Sequence, residues 1–175
     1  MVDGDERLRA LVRDIPGFPR PGIVFRDITP LLADAAALRT AVEAMAAPFR
    51  DSRVDLVAGI ESRGFVLGGA VALALGAGFA TVRKQGRLPH RTVSQSYALE
   101  YGEAVVELHA DAVAPGQRVL MVDDLVATGG TAAAAASLVR RLGGSVAGFS
   151  FLIELSDLQG RTLLGDATVV AVLRY

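Results

Sequence analysis

The chain contains no cysteine, which excludes a disulfide framework, a thiolate zinc site and a cysteine nucleophile together. It also lacks a surplus of either charge, because 18 Lys+Arg stand against 19 Asp+Glu for a formal net charge of −1. That balance argues against a generally basic nucleic-acid binder. Lysine is nearly missing, with Lys84 the only one among the 18 cationic residues. The opening segment MVDGDERLRALVRD has no secretory apolar stretch, so the expected location is the cytoplasm. No internal repeat and no long polar linker interrupt the sequence, and residues 1–175 are expected to form one domain. What is abundant is apolar material, 51% against 21% charged residues, which suits a folded core rather than disorder.

The longest uncharged run, Gly64 to Val82, approaches the ~20 apolar residues of a membrane span. It holds five glycines, and Gly76-Ala77-Gly78 predicts a helix stop followed by a new strand. The helical part, Gly64 to Leu75, spans only about 18 Å at ~1.5 Å per residue, against about 30 Å of hydrocarbon. A buried helix and strand are expected, and no membrane partner.

Elsewhere the pattern alternates. A short helix is expected over 5–13, then a stiff extended loop over Ile15–Gly22, which holds three prolines and two glycines. Ile23–Ile28 reads as a short extended piece. A helix starting at Thr29-Pro30 or at Asp34 carries Leu38, Val42 and Met45 on one face. Strands follow at Val54–Ile60, Phe79–Arg83, Val93–Tyr101, Val105–His109, Arg118–Asp123, Ser145–Ile153 and Thr168–Leu173, the third and fourth forming a possible hairpin about Gly102. Helices are expected over Ser62–Leu75 and Gly130–Leu142. Apolar strands alternating with helices predict an α/β fold, a mainly parallel twisted sheet covered by helices on both faces. Ligands bind such sheets at the carboxyl ends of the strands, which directs attention past Ile60, Val122 and Ile153.

The richest of those ends is Val119-Leu-Met-Val-Asp-Asp-Leu-Val-Ala-Thr-Gly-Gly-Thr131. Its small-residue loop, Ala127, Thr128, Gly129, Gly130 and Thr131, opens a helix, where glycine lets backbone approach a phosphate and N–H groups favour an anion. Asp123 and Asp124 repel a phosphate, so their partners are hydroxyls or a hydrated cation. A ligand with phosphate at one end and a diol in the middle is a ribose 5-phosphate. No Gly-Lys follows the glycines, so the loop is not a Walker motif.

This string resembles the phosphoribosyl-pyrophosphate motif of the type I phosphoribosyltransferases, and its VDDLxATGGT form resembles the adenine-specific branch of that family. Four further segments resemble family elements in order. Phe18–Ile28 is similar to the adenine-binding segment, Gly59–Phe65 to the pyrophosphate loop, Arg83–Pro89 to the start of a mobile catalytic loop and Tyr97–Gly102 to its end. The mobile loop of the family reads Lys-x-Gly-Lys-Leu-Pro, and here Arg87 replaces the second lysine, a change of geometry as well as of residue.

The resemblance implies adenine and 5-phosphoribosyl 1-pyrophosphate (PRPP) giving AMP and pyrophosphate, through an oxocarbenium-like transition state, with Mg²⁺ held through substrate and water rather than by direct protein ligands. It implies an adenine-binding hood over residues 1–34, a mobile loop over 83–101 and a homodimer. Glu100 takes the place of the general acid/base, and Tyr101 shields the ribose. Asp123 and Asp124 meet the ribose hydroxyls. Glu61, Ser62, Arg63, Arg83, Lys84 and Arg87 belong to the pyrophosphate end, with a non-proline cis peptide expected between Glu61 and Ser62. Val24, Phe25, Arg26, Leu125, Val126 and Leu155 surround adenine, Phe25 by stacking or, alternatively, as core. Rival readings are a 6-oxopurine phosphoribosyltransferase, which would not share Phe18–Ile28 or Glu100, and a PRPP-sensing nucleic-acid regulator, which calls for a basic surface or a further domain.

Overall fold

The computed structural model describes residues 2–98 and 102–175, with side chains from residue 5 onward. In chain order the elements are α1 (Val2–Ala10), β1 (Arg13–Pro16), β2 (Val24–Asp27), α2 (Thr29–Ala33), α3 (Ala35–Ala46), β3 (Leu56–Ile60), α4 (Arg63–Leu75), β4 (Gly78–Lys84), β5 (Thr92–Ala98), β6 (Glu103–His109), β7 (Arg118–Val126), α5 (Gly130–Arg141), β8 (Ser145–Glu154) and β9 (Val169–Arg174).

Seven strands form one sheet in the order β5-β6-β4-β3-β7-β8-β9. The β4-β3-β7-β8-β9 pairings are parallel, whereas β6 runs antiparallel to both β4 and β5. The sheet is therefore mainly parallel, as its sequence pattern predicts. All five residues of β3 are buried, the burial expected of a central strand covered on both faces.

Alternation along β7 divides two cores. Val119 and Met121 face α5 with Ala135, Leu138, Phe149 and Phe151. Leu120 and Val122 face α3 and α4 with Met45, Leu67 and Val71. Because each of these side chains is closely surrounded, truncating one such leucine to alanine costs about 2–5 kcal/mol.

Local chemistry sets the element ends. Asp34 accepts from the N–H groups of Ala36 at 2.9 Å and Ala37 at 2.8 Å, capping α3. Its extended backbone also separates α2 from α3, so both anticipated starts are used. Gly76, at φ +67°, ends α4 inside the uncharged run. Among the described residues no helix is long and apolar enough to cross a membrane.

Two differences from expectation concern the N-terminal part. The first helix lies at Val2–Ala10, earlier than 5–13. The segment read as wholly loop begins inside β1, which pairs with β2 in a separate antiparallel ribbon from Arg13↔Asp27 to Pro16↔Val24. Pro16 is tolerated because it ends the strand of a two-stranded sheet, where a missing N–H leaves no interior gap.

Candidate functional site

A cavity of about 360 Å³ opens where β3 and β7, neighbours in the sheet, both end. Glu61 and Arg63 enter it from the β3 side, Asp123 to Thr131 from the β7 side, and Arg83 and Lys84 from the end of β4. Parallel pairing of Gly59 with Val122 places these segments side by side although they are far apart in sequence.

On the β7 side, the N–H of Asp124 donates to Asp123 Oδ1 at 2.8 Å. Burial, and then the neighbouring Asp124 carboxylate, push the Asp123 carboxyl well above the usual range. The start of α4 packs against this carboxylate so closely that a Cβ on Gly64 would stand 2.7 Å from Asp123 Oδ1. Downstream, Gly129 at φ +82° turns the chain into α5. The first-turn N–H groups of α5 have no acceptor within the helix. With Thr128 and Thr131 they line the cavity and form an anion-accepting end.

The cationic residues are held by carboxylates. Arg63 Nε donates to Asp124 Oδ2 at 2.5 Å, and Asp124 is only 6% exposed. Across the cavity, Glu61 accepts from Arg83 Nε at 3.2 Å and from the Lys84 N–H at 3.1 Å, with Arg87 at 3.9 Å. Burial opposes the charge of Glu61, but donation from Lys84 and Arg83 outweighs it and lowers the carboxyl below its ordinary range. The peptide between Glu61 and Ser62 is cis.

The residues expected around a base are more dispersed. Leu125 and Val126 line the cavity, whereas Val24, Phe25, Arg26 and Leu155 stand outside that lining, as do Ser62 and Arg87. Phe25 is half-buried rather than core. Its ring meets Phe18 edge to face at 5.2 Å and lies 5.0 Å from the Arg63 guanidinium, which links it to the cavity wall. Val24 is exposed. Arg26 turns toward Tyr175, stacking at 4.1 Å, and pairs with Asp14. The N–H of Leu155 donates to the Val126 carbonyl at 3.0 Å, fixing that wall beside β7. Glu100 and Tyr101 lie outside the described residues.

Sequence reasoning missed two contributors. Buried Glu107 on β6 accepts from the Gly86 N–H at 3.0 Å and so anchors the turn carrying Lys84 and Arg87. Tyr97 lines the cavity from β5. A charged residue in an alternating strand reads as solvated, so Glu107 carries no signal in one sequence, and nothing distinguishes Tyr97 as a cavity residue within the segment Tyr97–Gly102. Among the described residues, no group of three or more His, Asp or Glu side chains is placed to hold a metal; the carboxylates facing the cavity are Glu61, Asp123 and Asp124.

Comparison with known proteins gives consistent matches. Residues 31–172 match the family model described as "Phosphoribosyl transferase domain". The chain is 58% identical over 161 residues to the adenine phosphoribosyltransferase of Thermobifida fusca, covering 92% of each. It is 57% identical over 173 residues to that of a Bradyrhizobium strain, covering 98% of this chain and 97% of the relative. Among solved structures, adenine phosphoribosyltransferase from Rhodothermus marinus superimposes with TM-score 0.97 at 50% identity, covering 100% of both chains. The Saccharomyces cerevisiae enzyme, solved with adenine and D-2,5-dideoxy-2,5-imino-altritol 1,6-bisphosphate, superimposes with TM-score 0.93 at 36% identity, covering 99% of this chain and 100% of that one.

Proposed function

The chain belongs to the phosphoribosyl transferase family and, within it, to the adenine phosphoribosyltransferases, and on that premise we propose how its residues divide the work. The enzyme is a pentosyltransferase of purine salvage that joins adenine to PRPP, giving AMP and pyrophosphate. The observation that carries the assignment of roles is the cavity itself, where an acidic pair and a glycine-rich helix start face cations from β4 and α4.

The 5-phosphate of PRPP sits in the loop Ala127-Thr128-Gly129-Gly130-Thr131, whose N–H groups and hydroxyls donate to its oxygens. Asp123 and Asp124 accept from the ribose hydroxyls. The pyrophosphate lies toward Arg63, Arg83, Lys84 and Arg87, with Glu61 and Ser62 shaping the backbone beneath it. Arg63, Arg83 and Arg87 exchange their present carboxylate partners for phosphate oxygens, so the leaving group meets donors already gathered in one place. Adenine lies against Phe25, with Leu125, Val126 and Leu155 as apolar walls and the backbone of Val24 and Arg26 reading its edge. Glu100 moves the proton as the base attacks, and Tyr101 shields the ribose. The segment 83–101 closes over the reacting carbon and excludes water.

Mg²⁺ fits this donor set. It takes one or two carboxylates, keeps several waters and prefers substrate phosphates, and Asp123 and Asp124 present carboxylates to the same cavity. When bound it neutralises charge on the pyrophosphate. It would be held to this chain through substrate and water, on the side of the cavity that carries Asp123 and Asp124.

Working location is the cytoplasm, and the working form is a homodimer. The latter is supported by the outer side of α4, where Val66 and Leu73, one heptad apart, are 51% and 85% exposed. Leu73→Glu is expected to halve the mass seen by sedimentation; an unchanged mass removes this face from the interface.

The test of the activity is direct. Purified protein with adenine, PRPP and Mg²⁺ is expected to form AMP. Formation of IMP or GMP from hypoxanthine or guanine without AMP overturns the adenine assignment, and PRPP binding without any nucleotide favours a sensor.

A further inference from the structure

We propose that Gly160, Arg161 and Glu154 form a brace that sets the position of the phosphate loop and thereby the affinity for PRPP. The inference rests on the reading of residues 127–131 as the 5-phosphate site. Gly160 is buried at the start of a short 3-10 turn, Gly160–Leu164, that lies directly beneath that loop. Contact between the two backbones is so close that no side chain fits on either side. A Cβ on Gly160 would stand 2.2 Å from the Ala127 carbonyl oxygen and 2.9 Å from the Gly129 nitrogen. Conversely, a Cβ on Gly129 would stand 2.1 Å from the Gly160 carbonyl oxygen.

The turn is fixed from the other side. Arg161 Nε donates to Glu154 Oε1 at 2.5 Å, one terminal nitrogen donates to Glu154 Oε2 at 2.7 Å, and the other donates to the Val169 carbonyl at 2.7 Å. Glu154, 6% exposed, is the last residue of β8, and Val169 begins β9. The fork therefore ties the turn to two strands of the sheet. A bidentate pair fixes orientation as well as distance, and the backbone contact at Gly160 passes that placement to Gly129, the residue immediately before α5. None of the three residues lines the cavity. They are positioning residues: they hold N–H groups where a phosphate meets them and touch no substrate.

The experiment measures PRPP and adenine binding by calorimetry, with steady-state KM and kcat, on wild type, Gly160→Ala, Arg161→Lys and Leu164→Ala. Leu164 is buried in the same turn and serves as the control for lost stability alone. Gly160→Ala is expected to weaken PRPP at least tenfold while adenine binding stays at the wild-type value and KM for PRPP rises more than kcat falls. Arg161→Lys keeps the charge, loses the fork and is expected to weaken PRPP about threefold, deciding the matter if Gly160→Ala does not fold. Leu164→Ala is expected to melt earlier with PRPP affinity retained. Wild-type affinity in both brace variants overturns the proposal, as does an equal loss of PRPP affinity in Leu164→Ala. Failure of the wild type to bind PRPP overturns instead the reading of the loop as a phosphate site.

Discussion

The guanidinium of Arg63 donates from Nε to Asp124 Oδ2 at 2.5 Å, joining the residue assigned to the leaving group to one assigned to the ribose. The same guanidinium lies over the Phe25 ring, so one side chain touches the places meant for three parts of the bound reactants. Replacing Arg63 by alanine removes the charge-assisted hydrogen bond proposed between its guanidinium and the pyrophosphate, worth about 1.5–3 kcal/mol. The expected result is a loss of affinity for PRPP and for pyrophosphate of roughly tenfold or more, with adenine affinity retained. Equal loss for adenine and PRPP in equilibrium binding would show that Arg63 shapes the fold rather than meets the anion.

Asp123 carries the opposite liability. Its folded carboxyl is harder to ionise than an unfolded one, so the penalty is absent below the ordinary value of 3.8, grows as pH rises through the raised value and is complete above it. Asp123→Asn removes that penalty. The ligand-free variant is expected to melt higher than wild type at neutral pH, with the gain vanishing in acid, while PRPP binding weakens far more than adenine binding. A lower melting temperature at pH 7 would contradict this account.

How much of this was legible beforehand depends on the physics behind each feature. β3, β7 and α5 declare themselves because unbroken apolar runs and a small-residue loop are local patterns. The gathering of Asp123, Asp124 and residues 127–131 on one wall of the cavity follows from the same string. β1 was not legible, since Arg-Asp-Ile-Pro has neither period, and its pairing with β2 is a tertiary fact. The Gly129–Gly160 contact was not legible either. It is an approach between two backbones, and a glycine after a polar turn looks the same whether or not another chain segment lies against it. The pairing of Arg63 with Asp124 was hidden because each residue had a chemically sound partner in a substrate.

Glu154 supplies a pH signature. Donation from Arg161 lowers its carboxyl against the opposing effect of burial, so its contribution to stability is complete above the ordinary value of 4.5 and is lost as pH falls through the depressed value. Glu154→Gln is expected to cost about 2 kcal/mol at pH 7, and progressively less toward strong acid, where the wild-type carboxyl is protonated too. Urea unfolding at a series of pH values reads this directly, and a pH-independent difference argues against the ion pair as its source.

Glu100 is tested by function alone. Glu100→Gln is expected to leave PRPP binding intact while turnover falls by ~10²-fold or more. Near-normal turnover in a steady-state assay removes Glu100 from proton transfer.

The parallel alignment of Gly59 with Val122 also governs when the protein becomes competent as it folds. Helices and the β5–β6 hairpin form from neighbours in sequence, but the two walls of the cavity meet only after a long stretch of chain has been closed into register, and long-range parallel pairing is the slow event in such topologies. Secondary structure is therefore expected to return early in a refolding experiment and PRPP binding late. A chain still emerging from its ribosome has no substrate site until the strand holding Asp123 has docked beside β3.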